Sequence, residues 1–328
     1  MIHGISAAAA QNKMNALGRK NIPFFFILSF DLQKNIVVPL DHCAEMGIAF
    51  QFPGISGGRI IDPQKKQAMI TDFTLPGEGE YQQAFKKVQY HLHRGDTYLL
   101  NLSFEVPIQM NTGLDAVYRS AGALFKTYWA PYWISFSPER FVDIEGQTLS
   151  THPMKGTISS EFPEAAERLL NDKKENAEHY TIVDLMRNDL SSVGRQTRVE
   201  KFKYLTEVQR EGHGLLQMSS HIKTQLPEDW TSHLGDIFFR LLPAGSITGA
   251  PKQKTVDIIE AVETHQREFY TGVSGVFYDG KVDSAILIRY IGQRNGQCYY
   301  KTGGGITTQS QWEDEYNEIR EKIYIPLS

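Results

Sequence analysis

Much of the last third of this chain alternates strand-like runs with short glycine-containing turns: Gly272 to Tyr278, Lys281 to Gln293 and Gln297 to Thr302. Parallel neighbours need a crossover of a dozen or more residues, so such spacing commits these runs to antiparallel pairing. The habit recurs upstream. Phe24 to Phe30 and Asn35 to Leu40 read as a hairpin, and Tyr98 to Ile108, Tyr132 to Phe136, Arg140 to Ile144, Gln147 to Pro153 and Thr197 to Val208 read as further strands. Gly54 to Gly58 reads as a flexible turn. Helical spacing marks Glu80 to His93, where Tyr81, Phe85, Val88 and Leu92 fall on one face and Gly95-Asp96 follows as a stop. Leu114 to Phe125, Glu161 to Arg187 (one or two helices), Leu234 to Leu242, Lys252 to Glu263 and Gln309 to Ile323 are also predicted helical. Strands outnumber helices and few alternate with them, so the pattern predicts an antiparallel α+β fold rather than βαβ winding. No linker divides the chain, which reads as a single domain over residues 1–328.

The bulk numbers exclude several classes. At 328 residues the chain can bury a sizeable core. A net charge of -4 gives no footing on nucleic acid or an anionic membrane. Cys43 and Cys298 have neither metal nor redox spacing, which suits a reduced, cytoplasmic setting. The longest apolar run, Pro23 to Phe30, is too short for a bilayer. Near the start, the small residues Ser6 to Ala10 precede Lys13, Arg19 and Lys20, the reverse of a secretory signal, and read as a helical lead-in.

Candidate chemistry begins with Lys155 in His152-Pro153-Met154-Lys155-Gly156-Thr157. A lysine there is placed by a tight turn, and inside a pocket it could act as a nucleophile. Two glutamate pairs follow, Glu175/Glu178 and Glu315/Glu318, each three apart in a helical stretch and so able to aim two carboxylates at one point. Such oxygen ligands suit Mg2+, although each pair taken alone reads as a solvated helix face. Gly303-Gly304-Gly305 reads as a tight turn that could also present N–H groups to an anion. Gly245 to Lys252 lacks the Gly-Lys-Ser/Thr ending of a nucleotide loop but sets Thr248 before a helix N-terminus. Arg289 lies within the apolar strand Ala285 to Ile291, its face ambiguous, and arginine is the preferred partner of a carboxylate. No Ser–His–Asp set is persuasive among the scattered histidines.

Taken together, Pro153 to Thr157, Ala177 to Asp189, Gly245 to Lys252, Ile286 to Arg289 and Gly303 to Glu318 resemble the chorismate-utilising enzymes, a family that includes anthranilate, aminodeoxychorismate, isochorismate and salicylate synthases. The likeness runs from about Tyr81 to Lys322. It implies a large antiparallel β-sandwich flanked by helices, with the active site in a cleft between the sheets and a shortened N-terminal region over about residues 1–75. It implies that Glu175, Glu178, Glu315 and Glu318 hold Mg2+, without which four carboxylates would repel the dianion chorismate. Tyr270, Arg289 and the backbone at Gly304 and Gly305 would bind the enolpyruvyl carboxylate, with Thr248 and Lys322 lining the same pocket.

Within the family, the residue before Gly-Thr separates reactions. Anthranilate synthases resemble Pro-Ile-Ala-Gly-Thr and aminodeoxychorismate synthases Pro-Ile-Lys-Gly-Thr, whereas this chain has Pro153-Met154-Lys155-Gly156-Thr157. The resemblance therefore implies amination of chorismate at C4, with Lys155 as nucleophile, Glu139 as general acid and ammonia from a glutamine amidotransferase partner. The alternatives are an anthranilate or isochorismate/salicylate synthase of the same fold, and a non-catalytic subunit that binds chorismate or a partner. Two departures stand out. Gln217 stands where many relatives carry the histidine of His-x-x-Ser, and Leu99 replaces glutamine in Gly95-Asp96-Thr97-Tyr98-Leu99-Leu100-Asn101. With the N-terminal segment incomplete, no tryptophan inhibition is expected.

Overall fold

The computed structural model describes residues 4–61, 67–210 and 213–327. Among them, two nine-stranded antiparallel sheets face each other. With elements numbered along the chain, the first sheet runs β11 (Met154–Ser159), β13 (His213–Gln225), β10 (Thr148–Thr151), β9 (Arg140–Glu145), β16 (Lys281–Ile286), β15 (Val273–Tyr278), β1 (Phe24–Leu28) and β2 (Ile36–Pro39), with β12 (Arg195–Arg210) along β13. The second runs β14 (Gly249–Ala250), β6 (Leu99–Met110), β18 (Gln297–Ile306), β17 (Tyr290–Arg294), β8 (Trp133–Ser137), β7 (Phe125–Trp129), β3 (Ile48–Phe52) and β4 (Ile55–Gly58), with β5 (Ile70–Phe73) on β6. The helices are α1 (Ala7–Arg19), α2 (Glu78–His93), α3 (Leu114–Ser120), α4 (Ala165–Asn171), α5 (Lys173–Ser191), α6 (Leu234–Leu241), α7 (Gly245–Thr248), α8 (Lys252–Val262) and α9 (Trp312–Glu321). This is the α+β sandwich expected. No helix among the described residues is long and apolar enough to cross a membrane.

Aromatic residues pack between the two sheets. Phe25 of the first sheet stacks on Phe50 of the second, ring centroids 4.6 Å apart, and Trp133 stacks on Phe269 and Tyr290 at 5.3 Å. Thr127 and Ser274 hydroxyls also meet across the sheets at 2.8 Å. Helix α2 buries the predicted face, Tyr81, Phe85, Val88 and Leu92, on the outside of the second sheet.

Five local expectations are corrected. The helix predicted to run from Leu114 to Phe125 stops at Ser120, because Ala121 turns to extended backbone and Phe125 begins a buried strand. Lys126 of that strand reaches back to donate to the carbonyls of Tyr118 and Ala121 near the helix end. Lys281 to Gln293 is two strands, not one: Arg289 sits in the break with φ +51° and is not a strand residue. Gly303 to Gly305 is not a turn but the interior of β18, paired with Ser103 to Asn101. Gly54 to Gly58 is likewise mostly strand, since Ile55–Gly58 pairs with β3. Lys155 lies in β11, not a tight turn, where the register with β13 shifts between Met154 and Thr157.

Candidate active site

Beside the aromatic cluster the sandwich opens into a cavity of about 480 Å3, with walls from both sheets and from α5, α7 and α9. On the first sheet the wall is β11. Its register shift spans Lys155 and Gly156, and an irregularity of this kind re-aims side chains. Met154, Gly156 and Thr157 line the cavity; the Lys155 side chain lies outside the described part of the chain. Gly156 has φ +84°, and a Cβ there would stand 3.1 Å from Glu175 Oε2 and 3.0 Å from Leu169 Cδ1. Glycine is therefore required both by the backbone and by the close approach of α4 and α5.

Helix α5 starts where Asp172 accepts the Glu175 amide at 2.9 Å, an N-cap that places Glu175 in the first turn, favourable for a carboxylate. Glu175, Glu178 and Ile182 follow at helical spacing and all line the cavity. Opposite them, α9 presents Glu315 and Glu318 over the glycines of β18. A Cβ on Gly304 would lie 3.3 Å from Glu315 Oε2 and 3.7 Å from Glu318 Oε1. Glu315 is only 2% exposed. Burial first, then the Glu315 and Glu318 charges, hold the Tyr81 phenol well above its ordinary range. The four glutamates thus face one cavity as two pairs. Among the described residues no three Asp, Glu, His or Cys side chains gather tightly enough to enclose a metal by themselves. Any divalent cation held there would need further oxygens from water or from a bound ligand.

Cationic groups line the same space. Lys322 Nζ lies 2.5 Å from Glu318 Oε1 and donates to Gly303 O at 2.8 Å. Arg289 donates to the Lys322 carbonyl at 3.0 Å and rests over the Tyr324 ring at 4.9 Å. Tyr270 is buried beside them, and burial raises its phenol pKa, so it stays a neutral donor. Across the cavity, Glu139 follows β8. Its Oε1 accepts from Ser246 Oγ at 3.0 Å, and its amide donates to Ser137 Oγ at 3.1 Å.

The structure therefore brings to one cavity Glu139, Glu175, Glu178, Glu315, Glu318, Tyr270, Arg289, Gly305 and Lys322, with Lys155 in the wall strand. Thr248 and Gly304 are not among the lining residues. Thr248 is fully buried and donates its hydroxyl proton to Ala244 O at 2.8 Å, while Gly304 packs beneath the α9 carboxylates. The sequence reading missed Ser246, although it stands in the same segment, and Asn101, whose Oδ1 is buried without a hydrogen-bond partner. It also missed Lys301, fully buried in β18, whose pKa burial pushes down to about 8. Its ammonium donates to the carbonyls of Gln266 and Arg267 at 2.5 and 3.0 Å, tying down the segment that carries Tyr270. The only early signal was a lysine amid Tyr299-Tyr300, which periodicity alone reads as solvent-facing.

The cavity sets paired glutamates on two helices opposite a lysine-bearing strand, a lining built to hold a polar ligand. Residues 60–328 match the family described as chorismate binding enzyme, and the chain belongs to that family. It is 43% identical over 314 residues to a Haemophilus influenzae protein named as an uncharacterized PabA-like protein, covering 95% of each. It is 34% identical over 274 residues to aminodeoxychorismate synthase component 1 of Escherichia coli, covering 77% of this chain and 59% of that one. Among solved structures, the menaquinone-specific isochorismate synthase MenF of Escherichia coli superimposes with a TM-score of 0.74 at 16% identity, over 97% of this chain and 81% of that one, a likeness of fold. Anthranilate synthase component I of Streptococcus pneumoniae gives 0.66 at 26% identity, over 79% and 60%.

Proposed function

We propose that the protein is the chorismate-aminating component of an aminodeoxychorismate synthase, fed with ammonia by a glutamine amidotransferase subunit. The observation that carries this reading is the lysine of Pro153-Met154-Lys155-Gly156-Thr157, held in a strand whose neighbouring residues line the same cavity as Glu139. The similarity to proteins named aminodeoxychorismate synthase component 1 supports it.

In this reaction the neutral Lys155 amine attacks C2 of chorismate. Both ring double bonds shift, from C1=C2 and C5=C6 to C1=C6 and C4=C5, the C4–O bond breaks, and Glu139 gives its proton so that the hydroxyl leaves as water. The new C–N bond leaves Lys155 as a secondary ammonium, which gives up a proton to solvent. Ammonia then attacks C4, both double bonds shift back, and the C2–N bond breaks. The departing Lys155 amine must be protonated as it leaves, and the ammonium formed at C4 supplies a proton while Glu139 is reprotonated from solvent. The net change is chorismate plus ammonia to 4-amino-4-deoxychorismate plus water, the product being a precursor of 4-aminobenzoate. Ser246 orients Glu139 through the hydrogen bond to Oε1. Arg289, Tyr270 and Lys322 receive the enolpyruvyl carboxylate. Glu175, Glu178, Glu315 and Glu318 would hold Mg2+, which supplies the positive charge needed to seat the ring carboxylate among them.

The test is incubation with chorismate, Mg2+ and ammonium, with products separated by chromatography. 4-Amino-4-deoxychorismate is expected, and Lys155→Ala should lose most of it. Anthranilate as the main product would reject the reading, and unchanged amination by Lys155→Ala would reject the covalent route.

A further inference from the structure

Two segments rich in chemistry remain outside the reaction: the Arg187-Asn188-Asp189 end of α5 and the Ala250-Pro251-Lys252 start of α8. The fold joins them. Lys252 Nζ lies 2.7 Å from Asp189 Oδ2, with the two side chains 19% and 14% exposed. The same ammonium donates to Leu241 O, the last residue of α6, at 2.7 Å. Burial raises the Asp189 pKa and lowers that of Lys252, each opposed by the other's charge, as expected for an ion pair largely removed from water. Gly245, which opens α7, backs onto the same spot. A Cβ there would stand 2.6 Å from Leu185 Cδ2 and 3.3 Å from Asp189 Oδ2. Four helices, α5, α6, α7 and α8, thus close on one buried charge pair.

Helical geometry connects that pair to the cavity. Asp189 follows Glu178 by 11 residues and Glu175 by 14. At 3.6 residues per turn these offsets return to within about 20° and about 40° of the same direction. Glu175, Glu178, Ile182, Leu185 and Asp189 therefore form one stripe; the first three line the cavity and the fourth packs near Gly245. A roll of α5 by about 20° would carry a carboxylate, about 5–6 Å from the axis, through roughly 2 Å. A catalytic constellation tolerates only about 0.5 Å. The partner side of the pair is equally connected, since α7 lies directly before α8 and its Ser246 holds Glu139.

We infer that the Asp189–Lys252 pair is a positioning device for the reaction. It sets the roll of α5, and with it the aim of Glu175 and Glu178 relative to Glu139. The inference rests on the proposed reading that these glutamates seat chorismate through Mg2+.

The test compares the full-length wild type with D189N, K252M and the double variant D189N/K252M. Four quantities are measured: melting temperature, Mg2+ affinity and chorismate affinity by calorimetry, and kcat and KM for chorismate consumption at saturating ammonium. Each single variant leaves one buried charge unpaired and should lose stability; the double variant should regain most of that loss. Mg2+ affinity and kcat/KM should fall at least tenfold in the double variant, because α5 is then held only by its apolar face and the His179–Ser220 hydrogen bond, with no charge pair at its far end to set the roll. Recovery of melting temperature with Mg2+ affinity and kcat/KM also restored would overturn the inference and leave a purely structural pair. If a single variant fails to fold, the double variant still decides the matter. A wild type that binds both ligands but consumes no chorismate would reject the functional reading instead, and the binding comparison would still test the pair.

Discussion

Gly304→Ala tests the α9 half of the site with one methyl group. Gly304 is not among the glycines with positive φ, so the strand backbone accepts an alanine without conformational strain. The new Cβ would lie 3.3 Å from Glu315 Oε2, closer than carbon and oxygen ordinarily approach, so the carboxylate must retreat by a few tenths of an ångström. Glu315 is almost fully buried and cannot simply swing into solvent. A misplacement of 1 Å costs about 100-fold in catalysis, so a few tenths should lower kcat/KM by roughly fourfold. Fold stability should change by less than about 1 kcal/mol, because alanine also restricts the unfolded chain. Gly156→Ala is the contrasting variant. It meets Glu175 Oε2 at 3.1 Å from the other side of the cavity, but its φ of +84° adds about 1–2 kcal/mol of backbone strain. Chorismate loss, followed by its absorbance over a range of Mg2+ concentrations, and thermal melts would be recorded for both. Gly304→Ala should need more Mg2+ for half-maximal rate at nearly unchanged melting temperature, whereas Gly156→Ala should lose both activity and stability. An unchanged Mg2+ dependence and unchanged kcat/KM in Gly304→Ala would refute the claim that the Glu315 carboxylate position matters.

Ser246→Ala removes the hydroxyl that holds Glu139 and should lower kcat about tenfold with little change in KM, measured in the same assay. Arg267→Met strands the Glu263 carboxylate, which Arg267 pairs at 2.7 Å with both side chains 2% exposed; the loss should be about 3–5 kcal/mol by denaturant unfolding. His265 has its pKa pushed down to about 4 by burial, with Lys301 and Arg267 acting in the same sense and Glu263 against. Below pH 6.5 the unfolded chain therefore takes up a proton that the folded chain refuses, and this contribution to stability falls as pH drops from 6.5 to 4. The full window is worth about 3 kcal/mol, and unfolding of His265→Gln measured across it should show a correspondingly weaker acid dependence.

The parts of this protein that were legible in its sequence are those where one local signal dominates. Short glycine turns cannot cross a sheet, so antiparallel pairing followed directly, and the helical spacing of Tyr81, Phe85, Val88 and Leu92 located a buried face. Strand β13 escaped notice because its inward face alternates Met218, Ser220, Ile222 and Thr224. Two of those four are polar, and they are tolerated inside because His179 and Thr197 meet their hydroxyls at 2.7 Å. The partners stand 41 and 27 residues away, so no window along the chain could reveal that the polar positions were satisfied. The site shows the same limit more sharply. As local patterns, Glu175/Glu178 and Glu315/Glu318 are indistinguishable from solvated helix faces. What sets them apart is that Gly156 and Gly304, on opposite sheets, lack side chains where the carboxylates lie. A family likeness could indicate the glutamates because it carries that pairing implicitly. It could not indicate that Thr248 spends its proton within its own helix while Ser246 reaches Glu139, since that choice depends on how α7 meets the start of β9. The cavity is therefore a property of glycines as much as of glutamates: the acidic residues supply the charge, and the missing side chains beneath them decide where that charge can stand.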